Sequence, residues 1–190
     1  MLPTILAVLI IVLFLVIENR GRQGQAARSL DTGSADQRST LMIGIAFMIS
    51  MIALVAGVVL NLFSILLIYN SIVGWVGIAL AALGVGMRTW ANRVLGQFYT
   101  RTLRTEEGQR IVQEGPYRLI RHPGYLGTLL LWIGAALAIR NWLTLIVILV
   151  VMLIAYTYRI SVEEKMLNAT FGDLYQAYRK HTWRLLPPIY

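Results

Sequence analysis

The sequence predicts an all-α integral membrane protein with about five transmembrane helices, the last two forming a C-terminal helical hairpin. Three observations lead there. Charged residues make up 14% of the 190 residues and hydrophobic ones 57%, against about 25% charged in soluble globular chains. Mean hydropathy is +0.66. The apolar residues also gather into runs near the roughly 20 residues (about 17–25) that a helix needs to cross a bilayer.

The first run, near Leu2–Ile17, is short. It reads as a retained helix: "MLPT" supplies no basic leader, and "QAA" at Gln25–Ala27 is a poor cleavage site well past the run. Residues 20–40 are polar and rich in small residues, which predicts a flexible loop. The second run, near Leu41–Phe63, is unbroken. The third, near Ser71–Met87, carries Gly74, Gly77, Gly84 and Gly86, spacings that let neighbouring helices approach closely. The fourth, near Tyr125–Ile139, and the fifth, near Trp142–Tyr158, are separated only by Arg140-Asn141, which predicts a tight hairpin.

Charge supports five spans. Residues 18–40, 88–124 and the tail from Arg159 hold sixteen of the seventeen basic residues, and an odd number of spans puts all three segments on one side. The other side keeps only Arg140. Basic residues collect on the cytoplasmic face, so the N-terminus is expected outside and the C-terminus inside. The net charge of +8 is explained by this topology and does not call for nucleic acid. With no cysteine and two histidines, no metal site is expected. The chain divides by character into a transmembrane scaffold of three spans, residues 1–87, and a region 88–190. The latter holds a membrane hairpin, 125–158, a cytoplasmic C-terminal helix and most of the chemically capable groups.

Those groups form two clusters. In "YRLIRHPGYLG", Pro123 biases His122 away from the helical region and is itself tolerated at a helix start, which places His122 at a helix entrance. Gln109–Val112 reads as a short strand or turn. Residue chemistry alone leaves two readings open: a basic flank with a helix-starting proline and interfacial tyrosines, or one wall of a site. In "YRISVEEKML", Arg159 and Glu163 share a helix face at i,i+4 and are placed to pair, while Glu164 points elsewhere. The two-residue hairpin turn puts the start of span four beside the end of span five. His122 and Tyr125 therefore come near Arg159 and Glu163, at a membrane boundary where converging polar groups suggest a site. Phe171-Gly172 breaks the pattern. In the amphipathic stretch that follows, Tyr175, Tyr178 and Trp183 suit an interfacial surface and His181 an exposed one.

At these residues the chain resembles the isoprenylcysteine carboxyl methyltransferase family and its relatives among phospholipid N-methyltransferases. "GPYRLIRHPGYLG" at 115–127, the hairpin, "RISVEEKML" at 159–167 and "FGDLYQAY" at 171–178 keep order and spacing over residues 95–190. The resemblance implies a methyltransferase that uses S-adenosylmethionine without a Rossmann domain, in a cofactor pocket at the cytoplasmic face. It implies cofactor contacts from Gln109, Arg110, Ile111, Val112, Tyr117, His122, Pro123, Gly124, Tyr125 and Glu163, with Glu164 an alternative in register, and Arg159 orienting the substrate. Its catalytic pair would be Arg159 and Glu163. The acceptor would be a lipophilic one in the bilayer, most simply the carboxylate of a prenylcysteine. A phospholipid amine or a small thiol is the alternative, and a nicotinamide-dependent membrane reductase a more distant one. Small size and the lack of a eukaryotic-style N-terminal extension suggest a prokaryotic plasma membrane.

Overall fold

A computed structural model describes residues 2–21, 36–98 and 110–188. Six helices account for most of them: α1 (Leu2–Gly21), α2 (Ser39–Leu62), α3 (Ser71–Leu95), α4 (Pro123–Ile139), α5 (Trp142–Phe171) and α6 (Asp173–Lys180). Among the described residues there is no strand, only isolated bridges joining Leu67 to Asn141 and Ile120 to Trp183. Four helices (α1, α2, α3 and α5) are long and apolar enough to cross a membrane; α4 is apolar but has 17 residues. The chain is a multi-pass integral membrane protein.

Its outer surface is hydrophobic, the reverse of a soluble protein. Leu9, Leu13, Ile52, Val55, Val76 and Ile154 are all more than half exposed, on helices whose backbone groups are satisfied internally, as lipid requires. The short helix is the centre: thirteen of the seventeen α4 residues are buried, and α1, α2, α3 and α5 all pack against it.

The α3–α4 seam explains how the helices come so close. A Cβ added at Gly77 would lie 2.5 Å from the Gly134 carbonyl oxygen, and one at Gly84 would lie 2.5 Å from that of Gly127. Gly127 and Gly134 face the α3 backbone just as tightly. Two of the four glycines singled out from the sequence therefore do the expected work. Gly86 instead meets nothing within 4 Å, and Gly74 meets only the side chains of Pro3 and Arg140. Gly84→Val forces two backbones apart with no side chain able to yield. We expect it to cost about 1–3 kcal/mol or more, read as a lowered melting temperature in detergent. Gly86→Ala is the control and should leave it unchanged.

The hairpin forms as expected. Arg140 closes α4 in the left-handed region (φ 60°) and Asn141 caps α5, its side chain accepting from the Thr144 amide. The Asn141 Nδ2 donates to Asn61 Oδ1 and to the Ile65 carbonyl, tying this turn to the last turn of α2 and the loop after it. Helix ends differ from expectation. α1 reaches Gly21, long enough to span; α3 runs on to Leu95, and α5 runs without a break to Phe171. At 1.5 Å per residue a 30-residue helix measures about 45 Å against a hydrocarbon core of about 30 Å, so the last turns of α5 stand clear of the apolar layer. Gly172, at φ 51°, then stops it, a conformation that favours glycine.

Candidate functional site

The site begins with the segment before α4. Gly115 takes a positive φ of 55° and starts a short 3-10 turn, Gly115–Arg118, that buries Pro116 and Tyr117. The Arg121 and His122 amides donate to the carbonyls of Trp183 and Arg184, and the Trp183 amide donates back to Leu119. The C-terminal segment is thus stapled to the entrance of α4. Pro123 occupies the first turn of that helix, and His122, non-helical at φ −123° and ψ 54°, stands just before it. The His122 ring is 5% exposed and stacks on Tyr125, centroids 5.5 Å apart and planes 7° from parallel.

Across from it stands α5. The Tyr125 hydroxyl donates to Glu163 Oε2 at 2.6 Å and accepts from Arg159 Nε at 3.2 Å. His122 Nδ1 lies 3.7 Å from Glu163 Oε2. The convergence expected from the hairpin is therefore present: His122, Tyr125, Arg159 and Glu163 meet at one point. The i,i+4 relation of Arg159 and Glu163 is bridged by the Tyr125 hydroxyl, and Arg159 reaches across to a partner the sequence did not suggest. Its Nη1 meets Asp36 Oδ1 at 2.8 Å.

The two adjacent acids part company. Glu163 lines the cavity described below, with 23% of its side chain exposed. Glu164 is buried at 7% beneath Arg121 Nε (2.9 Å) and Arg184 Nη2 (2.8 Å), with His122 Nε2 at 3.4 Å but not aligned for a hydrogen bond. Arg121 is no mere helix flank. Its side chain is 9% exposed, and its Nη1 also donates to the carbonyls of Arg179 and Thr182.

These groups border a cavity of about 340 Å³. Arg110, Ile111, Val112, Tyr117, His122, Gly124, Tyr125, Arg159 and Glu163 all line it. Pro123 and Glu164 stand behind that lining, and Gln109 lies outside the described residues. The walls come from both halves of the chain. α1 and α2 supply Phe14, Leu15, Ile43 and Phe47; α3 supplies Arg88 and Asn92. Leu15 and Gly44 line the cavity and are both exposed, so it opens beside α1 and α2.

Sequence reasoning missed several of these residues. Glu18 accepts from Arg88 (Nη2 at 2.8 Å, Nε at 3.3 Å) and from Asn92 Nδ2 at 3.3 Å. Arg88 and Asn92 are one turn apart, and an ionisable residue in an apolar helix is itself a signal of function. Tyr175 and Tyr178 were expected at the interface but are 1% and 7% exposed, because α6 folds back against α5. Trp183 is 45% exposed and His181 exposed, as expected. The Tyr178 hydroxyl donates to the Tyr117 carbonyl at 2.8 Å; that of Tyr175 has no hydrogen-bond partner among the described residues.

Burial pushes the phenols of Tyr117, Tyr175 and Tyr178 above their ordinary value. The neutral form is favoured by the fold, so the linked stability is constant below the ordinary tyrosine pKa of about 10 and is lost above it. We expect the melting temperature to be flat between pH 7 and 9 and to fall as pH climbs past 10. Tyr178→Phe should flatten part of that fall.

A membrane bundle with a pocket lined by charged and aromatic side chains at one end of a buried hairpin is the class that fold and site define. The family model for phospholipid methyltransferases matches residues 72–174, over half the chain. The chain belongs to that family. It is 31% identical over 119 residues to a probable protein-S-isoprenylcysteine O-methyltransferase of Oryza sativa, covering 62% of each. It is 34% identical over 105 residues to the protein-S-isoprenylcysteine O-methyltransferase of Saccharomyces cerevisiae, covering 54% of this chain and 44% of the yeast protein. The match thus spans less than two thirds of these curated relatives. Among solved structures, the eukaryotic intramembrane Ras methyltransferase, an isoprenylcysteine carboxyl methyltransferase, superposes with a TM-score of 0.64 at 22% identity. The superposition covers 84% of this chain and 55% of that one, a likeness of fold. The resemblance carried by "RHPGY" and "RISVEEKML" is borne out.

Proposed function

We propose that the protein is an S-adenosylmethionine-dependent methyltransferase acting on a lipophilic acceptor, the carboxylate of a prenylcysteine. The observation that carries this reading is the pairing of Glu163 and Arg159 around one tyrosine hydroxyl, with the acid on the pocket and the cavity opening beside α1 and α2 at Leu15 and Gly44.

The residues fit the cofactor. Its amino group needs an acid, and Glu163 offers one; its carboxylate needs a donor, and the Tyr175 hydroxyl, on a residue of the cavity lining, has no hydrogen-bond partner among the described residues. Tyr117 and the backbone at 110–112 supply a flat wall for adenine. A cavity of about 340 Å³ falls in the range of small-molecule sites, roughly 300–1,000 Å³. When bound there, S-adenosylmethionine supplies a methyl group already activated by its sulfonium. The protein then has to align the acceptor and exclude water. A carboxylate is nucleophilic at neutral pH and needs no general base, so Arg159 has only to orient it. The arginine-rich segments support a pocket at the cytoplasmic face, with the N-terminus outside.

The test is methyl transfer by purified protein in lipid nanodiscs. Labelled S-adenosylmethionine would be offered with N-acetyl-farnesylcysteine and phosphatidylethanolamine in competition. Base-labile label on the farnesylcysteine supports the reading. Label on phosphatidylethanolamine alone replaces the acceptor, and label on neither overturns the enzyme.

A further inference from the structure

The corner that leads into α2 contains a buried acid unexplained by the pocket. Asp36 is 1% exposed, and its partner Arg159 is 4% exposed. Asp36 Oδ2 accepts from the Thr40 amide at 3.1 Å, so it also serves the open first turn of α2. Its Oδ1 accepts from Ser39 Oγ at 3.2 Å, from Thr40 Oγ1 at 2.7 Å and from Arg159 Nη1 at 2.8 Å. The same Nη1 donates to both hydroxyls, each at 2.8 Å. The Tyr158 hydroxyl adds a second tie from α5 to this corner, donating to the Gln37 carbonyl at 3.0 Å. One nitrogen of Arg159 is thus locked among three oxygens, while its Nε holds the Tyr125 hydroxyl.

That arrangement has a chemical meaning if the acceptor is a carboxylate, and the inference rests on that reading. A carboxylate and a sulfonium lose their opposite charges as the methyl passes between them. A full positive charge beside the acceptor therefore holds the charged ground state more strongly than the transition state, which lowers the rate. An arginine already paired with an acid avoids this: it keeps its donors in place but carries little net charge. We propose that Asp36 is a positioning residue that fixes the Arg159 guanidinium and offsets its charge, so that an acceptor carboxylate is oriented without losing its nucleophilicity. Asp36 reaches the reaction only through Arg159.

Asp36→Asn is the informative change, because asparagine keeps an oxygen for the Thr40 amide and removes the charge. In nanodiscs with N-acetyl-farnesylcysteine, it should lower kcat at least tenfold and lower KM for the acceptor as well, with S-adenosylmethionine affinity unchanged. That joint fall is the mark of an over-stabilised ground state. Asp36→Glu, which restores the charge, should recover much of kcat. A merely structural role would instead reduce the cofactor-binding fraction and leave kcat per binding site alone, and that result overturns the assignment. So does an Asp36→Asn protein with parental kcat and KM, or one whose KM rises. If Asp36→Asn does not accumulate, Asp36→Ser is read in its place: a fall in both kcat and KM at parental cofactor affinity supports the role, and parental kcat and KM overturn it. A parent protein inert toward farnesylcysteine overturns the carboxylate reading together with this one, whereas an active parent isolates the fault in Asp36.

Discussion

Glu163→Gln is expected to fold as the parent does and to bind S-adenosylmethionine roughly 10- to 150-fold more weakly, with methyl transfer falling in step. Glutamine keeps an oxygen to accept the Tyr125 hydroxyl, which now sits 2.6 Å from the carboxylate, so the pocket wall should hold its shape. What is lost is the charge. A hydrogen bond to a charged group contributes about 1.5–3 kcal/mol, which converts to that range of affinities. Because the side chain lines the pocket and is a quarter exposed, the substitution should cost little stability. Calorimetric titration of purified variant and parent decides the matter. An unaltered affinity would remove Glu163 from the cofactor site and break the central support of the proposed function.

Its neighbour should behave in the opposite way. Glu164→Ala is expected to destabilise the fold severely, because Arg121 and Arg184 both end on that one buried carboxylate. Removing one partner of a buried ion pair typically costs about 3–5 kcal/mol, since the remaining charge is left without compensation. Folded domains have only about 5–15 kcal/mol in hand. The loss should show first where Arg121 anchors the tail, through the carbonyls of Arg179 and Thr182. Protease sensitivity confined to the segment after α6, followed by loss of the whole fold on mild heating, is the expected pattern. A Glu164→Ala protein with the parent's melting temperature would show that this cluster contributes no net stability. Two adjacent glutamates thus separate ligand binding from folding.

Much of the bundle was legible because a bilayer imposes long apolar runs and short polar breaks. Arg140-Asn141 between two such runs admits little but a tight turn, and Gly172 after a helical stretch reads as a stop. Helix ends were less legible. α3 and α5 continue through Arg88–Leu95 and Arg159–Phe171, where polar residues that favour helices extend the rod beyond the apolar run. Half of the site could be argued from one inference, that a hairpin puts its two ends side by side. The other half rests on pairings between distant positions. Glu18 meets Arg88 across 70 residues, and Asp36 meets Arg159 across 123. No local pattern marks either pair, since each acid reads in sequence as an ordinary residue at the rim of an apolar run. Tyr175 and Tyr178 misled for a related reason. An amphipathic helix shows that it has an apolar face, but not whether lipid or another helix covers it.

The staple between Leu119–His122 and Trp183–Arg184 has a consequence for how the protein is made. Synthesis proceeds from α1 onward, and the apolar helices can enter the bilayer as each emerges. The entrance of α4 meets its backbone partners only when residues some sixty positions later have been translated. Until then Glu164 lacks Arg184, and Tyr117 lacks the Tyr178 hydroxyl. The nascent chain is therefore a membrane protein well before the entrance of α4 has its full set of partners. A ribosome stalled ahead of Trp183 should hold an inserted bundle whose pocket is still open on one side.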